Sequence, residues 1–273
     1  MTVDIEAVTE ILREVAAEEV LPRFRTLAEH EVRAKDSGEV VTVADVAAER
    51  QITRRLRELL PGSQVVGEEA TAEDPGLLDT FAWVDDWIWV IDPIDGTANF
   101  AAGRPVFALM VALVRRGEAE AAWILDPLGP RCATAERGAG AWLDGARLAL
   151  GPPPLPAELR GTLHASTFAT AAMARQIQAR RARVGAVKSL RCAGWEYLRL
   201  ASGEIQFSLF TKLMPWDHVP GTLIFREAGG LAQTLDGAPY GARDHRASGL
   251  LMAPDQASWD WLHDRLFGED APA

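Results

Sequence analysis

Trp87-Ile88-Trp89-Val90-Ile91-Asp92-Pro93-Ile94-Asp95-Gly96-Thr97 is the stretch on which the fold turns. Residues 87–91 form an apolar run of strand length that ends at Asp92. Residues 93–97 then read as a turn leading toward Ala98-Asn99-Phe100. Asp95-Gly96 alone is an ordinary turn signal. The full string is more specific. It sets two acids, a rigid proline, a flexible glycine and a hydroxyl just after a buried strand. Carboxylates at such a strand end project from a rigid scaffold into a cleft.

Two further acidic sites share that setting: Gly67-Glu68-Glu69 after a short strand at 64–67, and Trp216-Asp217 at a helix start. Each has a plainer reading when taken singly. Glu68-Glu69 suits a solvated loop tip and Asp217 a helix N-cap. Taken together they offer hard oxygen donors of the kind Mg²⁺ selects. These motifs hold no soft ligand, which argues against zinc or copper.

Around them, residues 5–15 show helical spacing, extending toward Leu27 but disturbed by Pro22. Val40–Val43 is β-prone, and Thr42 caps a second helix over 44–60 with Val46, Ile52, Leu56 and Leu59 as its buried stripe. Residues 70–80 read as a polar loop. Val106–Val114 and Ala119–Leu125 form a hairpin, followed by short strands to about Leu150. Gly151–Pro156 contains four prolines in six residues and is the candidate joint between 1–150 and 151–273, within one compact unit. The second half alternates strand and helix. Helices are expected over 168–182, 195–201, 216–228 (Pro220 in its first turn) and 256–267, with strands at 187–190 and 205–210. Mixed hairpins and helices give an α+β layered fold.

The 273 residues are 48% hydrophobic, enough for a large core, and the net charge is −11. Such a chain repels nucleic acid and anionic membrane, and its basic residues form no single patch. Cys132 and Cys192 make no disulfide framework, so a reducing, cytoplasmic setting is expected. The acidic N-terminus does not resemble a signal peptide, and no stretch approaches the roughly 20 apolar residues of a membrane span.

The 92–97 string, Gly67-Glu68-Glu69 upstream and Trp216-Asp217-x-x-x-Gly221 downstream resemble the inositol monophosphatase family, within the Mg²⁺-dependent, Li⁺-sensitive sugar phosphatases. Glu227-Ala228-Gly229-Gly230, Lys35 and Thr42-x-x-Asp45 match as well. The resemblance implies an α/β/α/β sandwich of mixed and antiparallel sheets. It also implies a homodimer and hydrolysis of a small phosphate ester, inositol monophosphate by default, by in-line attack of a metal-activated water. Two or three Mg²⁺ ions would be held by Glu68, Asp92, the carbonyl of Ile94, Asp95 and Asp217. Thr97 and Asp45 would deprotonate the water, with Glu68 assisting. Asp95, Gly96, Thr97 and Asp217 would contact substrate. Another alcohol ester (histidinol phosphate, fructose 1,6-bisphosphate, 3′-phosphoadenosine 5′-phosphate) or a non-catalytic phosphate-binding role are the alternatives.

Some positions depart from that pattern. Phe210 stands where the family usually has a Glu that contacts substrate hydroxyls, and a phenyl ring accepts no such hydrogen bond. Trp195 would reshape the alcohol pocket. Lys35 reads either as a loop residue touching the site or as a solvated lysine. His218 reads as a helix residue beside the site rather than a ligand.

Overall fold

The computed structural model describes residues 3–35, 38–84, 86–129, 131–164 and 170–269. Helix α1 (Ile5–Val15) starts at Asp4, whose carboxylate accepts the N–H groups of Glu6 and Ala7. The path toward Leu27 changes pitch instead of continuing as α-helix. A π turn covers Ala16–Val20 and a 3-10 turn covers Leu21–Arg23, where Pro22 lacks the N–H an α-helix interior needs. Strands β1 (Val32–Ala34) and β2 (Val40–Thr42) pair antiparallel. Thr42 opens α2 (Val43–Leu59) through a capping box: its hydroxyl accepts the Ala44 N–H, and Asp45 accepts the Thr42 N–H.

The inner face of α2 corrects the expected stripe. Ile52 and Leu56 are buried, but Val46 and Leu59 are exposed, and Ala44, Asp45, Ala48 and Glu49 complete the buried side. Those two acids face inward because each has buried hydrogen-bond partners there: Asp45 meets the Thr97 hydroxyl, and Glu49 accepts the N–H groups of Glu69 and Ala70. Strand β3 (Gln64–Gly67) follows. The 70–80 segment is helical, not a loop: α3 (Glu68–Glu73), a 3-10 turn at Pro75–Asp79, and α4 (Thr80–Trp83), anchored by buried Phe81.

Strand β4 (Trp87–Asp95) runs three residues past its expected end and leads through Gly96 to α5 (Thr97–Ala101). The expected hairpin is present as β5 (Ala108–Arg115) and β6 (Glu118–Leu125). β7 (Cys132–Glu136), β8 (Gly140–Leu143) and β9 (Ala146–Leu148) extend the meander. The sheet order is β3-β4-β5-β6-β7-β8-β9, antiparallel except for the parallel pair β3–β4.

The second half contains β10 (Arg160–His164), α6 (Ala171–Arg180), β11 (Gly185–Ala186), α7 (Ala193–Ala201), β12 (Phe207–Phe210) and α8 (Pro215–Glu227). β13 (Leu231–Thr234), β14 (Leu250–Ala253) and α9 (Gln256–Phe267) follow. A mixed sheet of order β11-β10-β12-β14-β13 results. Three expectations shift. The strand placed at 187–190 lies at 185–186. The helix placed at 168–182 spans 171–180, with residues 168 and 169 outside the described residues. Pro220 sits inside α8, one turn beyond its start, because Pro215 takes the first-turn place.

Strand alternation sorts the core into layers. Trp89, Ile91, Leu109, Val111 and Trp123 face α1 and α2, whereas Ile88, Val90, Met110 and Ile124 face α7 and α8. Those two helices also meet Leu250 and Met252 of the second sheet. The opposite face of that sheet, through Leu209 and Leu251, packs on α6 and α9. The result is an α+β sandwich in which α7 and α8 lie between two sheets. Gly221 lets these helices touch: a Cβ there would fall 2.1 Å from Tyr197 ring carbons. The carboxylate of Glu227 accepts the Gly138 and Gly140 N–H groups, tying the end of α8 to the β7–β8 turn.

Candidate metal centre

One irregularity in β4 creates the site. Asp92 pairs with Met110 and Asp95 with Ala108, so three steps along β4 oppose two along β5. In a regular strand residues three apart point to opposite faces. The slip of one residue reverses that parity. Ile94 consequently packs with Trp89 and Ile91, and Asp95 turns to the same side as Asp92. Pro93, which has no N–H to give a ladder, suits the bulge.

Asp217, in the first turn of α8, joins this pair, and the carboxylates of Asp92, Asp95 and Asp217 come within 4.8 Å of one another. They border a cavity of about 370 Å³ that Glu68, Ile94, Gly96 and Thr97 also line. Every expected metal or substrate position therefore faces one space, and the remaining catalytic candidate, Asp45, reaches it through Thr97. Gly96 adopts φ +85°, and a Cβ there would crowd the Val106 carbonyl at 3.0 Å and Cys192 at 3.2 Å.

The three aspartates are differently satisfied. Asp95 accepts the N–H groups of Ala193 (3.1 Å) and Gly194 (2.7 Å) at the start of α7, and the Cys192 thiol at 2.8 Å. Cys192 is the residue that motif reading missed. It lies far from the acids in sequence, and no pattern links it to Asp95. Burial is the largest influence raising Asp92, Asp95 and Asp217 above the ordinary carboxylate range, and the neighbouring Glu68 raises all three further. Asp92 Oδ1 is buried with no hydrogen-bond partner among the described residues. A buried carboxylate oxygen in that state requires a cation or a proton. An all-oxygen cluster with one orphaned oxygen fits a hard divalent ion, with Asp92, Asp95 and Asp217 holding it and Glu68 alongside.

Lys35 is not a solvated lysine. Its ammonium lies 2.7 Å from Glu68 Oε1 and 2.8 Å from Glu69 Oε1, with 11% of its side chain exposed. Burial alone would lower its pKa, but the two glutamates outweigh that and hold it above its usual value. Glu49 accepts the Glu69 and Ala70 N–H groups at the start of α3. Burial pushes Glu49 up to about 7 and Glu69 up to about 8.

Thr97 Oγ1 stands 2.9 Å from Asp45 Oδ1 and 2.8 Å from the Ile94 carbonyl, so its one proton serves one of them at a time. Burial pushes Asp45 up to about 6, although hydrogen bonds from Thr42 oppose the shift. A carboxyl near that value is suited to exchanging protons close to neutrality.

His218 also lines the cavity, with both ring nitrogens engaged. Its Nε2 donates to the Lys212 carbonyl at 2.7 Å, so Nδ1 is left to accept the Tyr197 hydroxyl at 3.0 Å. Burial pushes its pKa down to about 3. Trp195, expected to reshape the pocket, is not among the residues that line the cavity. Its indole N–H donates to the Phe107 carbonyl and Arg131 lies over its ring. Phe210 does line the cavity, together with His164.

The sequence model of the inositol monophosphatase family matches residues 2–267. Nus factor SuhB of Pseudomonas aeruginosa is 35% identical over 212 residues, 76% of each chain. Inositol-1-monophosphatase of Rhizobium meliloti is 31% identical over 210 residues, again 76% of each. The crystal structure of the extragenic suppressor protein suhB from Bartonella henselae superposes with a TM-score of 0.78 at 22% identity, over 96% of this chain and 98% of that one.

Proposed function

This chain belongs to the inositol monophosphatase family, and on that footing we propose that it is a Mg²⁺-dependent phosphomonoesterase for a small alcohol phosphate. The observation that carries the reading is the convergence of Asp92, Asp95 and Asp217 within 4.8 Å beside the Thr97–Asp45 pair. Asp92, Asp95, Asp217 and Glu68, with the Ile94 carbonyl, would hold two or three ions. When bound, Mg²⁺ offsets the negative charge of the ester and makes water more acidic.

The chain's own residues do the rest. Thr97 orients the attacking water and passes its proton to Asp45. The N–H groups of Gly96 and Thr97, together with the Asp95 and Asp217 side chains, position the ester. The same reading makes the protein a cytoplasmic homodimer inhibited by Li⁺. Its centre is shared between a 1–150 half and a 151–273 half of one compact unit.

The test is phosphate release from a panel of esters, inositol monophosphate included as the reference, with Mg²⁺ and with EDTA. Purified protein that binds Mg²⁺ yet releases no phosphate from any ester would overturn the reading. The 35% identity to a protein named a Nus factor favours a second one, in which the chain acts through a protein partner. An Asp92→Asn variant that binds no Mg²⁺ but fully restores growth to its deletion strain would support that alternative.

A further inference from the structure

Away from the carboxylates the cavity wall turns aromatic. His164 and Phe210 are the last residues of the neighbouring parallel strands β10 and β12 and are register partners. Their rings stack with centroids 4.3 Å apart at 20°. Phe210 is also nearly parallel to Tyr197, at 5.9 Å and 17°, and packs against His218 at 4.6 Å. The carboxyl ends of parallel strands are where open sheets commonly receive ligands.

This wall is held rigidly and offers little to a hydroxyl. His164 Nε2 lies 3.2 Å from Thr162 Oγ1, and Nδ1 lies 3.4 Å from Ser189 Oγ. Both ring nitrogens are thus engaged. Burial pushes the imidazole down to about 4, so the ring is neutral at pH 7. Thr211 Oγ1 donates to the His164 carbonyl at 3.0 Å. Among the described residues on this side of the lining, the carboxylate of Glu39 is paired with Lys212. Among the described residues, a polyol would find few acceptors on this wall. An aromatic face would find a flat neighbour, since His164 keeps 18% of its side chain open.

We infer that this site selects phosphate esters whose alcohol carries a flat aromatic or heteroaromatic ring, with His164 and Phe210 as the specificity-determining shelf. The inference rests on the phosphomonoesterase reading and names the substrate class of that site. Phosphate binds at the carboxylate end, and the ring of the leaving alcohol lies against His164, which Phe210, itself 6% exposed between His164 and Tyr197, holds in place from behind. Offset or edge-on ring contacts of this kind are worth roughly a few-fold to tenfold beyond simple area burial.

Benzyl phosphate and cyclohexylmethyl phosphate test it, because both are esters of primary alcohols and differ mainly in ring flatness. The expected kcat/KM ratio in favour of benzyl is about fivefold. In His164→Ala and Phe210→Leu the ratio should fall toward one. A purely structural role would lower both rates together and leave the ratio unchanged, and a ratio does not depend on how much of a variant folds. Equal turnover of both esters by the unaltered protein would overturn the shelf while leaving the phosphatase reading intact. The matching phosphonates, titrated calorimetrically with Mg²⁺ present, give the same comparison as a Kd ratio. That ratio decides the shelf even in a chain that hydrolyses nothing.

Discussion

The hydroxyl of Thr97 lies 2.9 Å from the carboxylate of Asp45, so the first residue of α5 is joined to the first turn of α2 across the site. Removing either member should slow turnover by about 10²- to 10⁴-fold, the usual worth of a general base. Thr97→Ala and Asp45→Asn should keep their Mg²⁺ affinity by calorimetry. Because the pair acts as a unit, the double variant should be hardly slower than either single one. A double variant whose losses multiply would refute the relay.

Asp92→Asn should abolish phosphate release and weaken Mg²⁺ binding. In the metal-free protein the same change should stabilise, because it removes one of several repelling buried carboxylates and lets an amide take its place. Thermal unfolding in EDTA and in Mg²⁺ checks both halves: the midpoint rises in EDTA, and the Mg²⁺-induced increase shrinks. A lower midpoint in EDTA would mean that the carboxylates do not strain the fold.

Stability should also depend on pH in a defined window. Glu49 and Glu69 sit at about 7 and about 8, and Asp92 and Asp217 are raised by burial. Their folded forms hold protons more tightly than the unfolded chain, so stability falls as pH rises through those values. His164 and His218, pushed down to about 4 and about 3, act in the opposite sense, but only below the unfolded histidine value of 6.5. The unopposed decline therefore lies between about pH 6.5 and 8. Melting curves in EDTA should show it, and saturating Mg²⁺ should flatten it. A midpoint that climbs across that interval in EDTA would contradict the raised carboxylates.

Gly221→Ala should destabilise the fold by roughly 1–3 kcal/mol or more, since the new methyl would collide with the Tyr197 ring where α7 crosses α8. Urea unfolding reads the cost directly. An unchanged midpoint would show that the two helices can separate freely.

The apolar run at 87–91, the hairpin at 108–125 and the helix at 256–267 were legible because length and pattern agree locally with their packing. The meeting of Asp92, Asp95 and Asp217 was legible because motif spacing marks them. Val46 and Leu59 were misplaced because hydrophobicity alone does not report that Asp45 and Glu49 turn inward to hydrogen-bond partners distant in the chain. The β4 bulge was invisible, since parity along a strand is broken only by pairing with β5. Cys192 and the His164–Phe210 stack are tertiary encounters between distant segments, and nothing near them in the chain announces the meeting.

Asp92 and Asp95 emerge from the ribosome well before Asp217, and α8 must settle across the first sheet before the three carboxylates meet. No product truncated upstream of Asp217 can assemble the triad, so any turnover would report translation past that residue. By the same logic, two fragments divided within Gly151–Pro156 would make a split reporter, silent apart and active only when the pieces reunite.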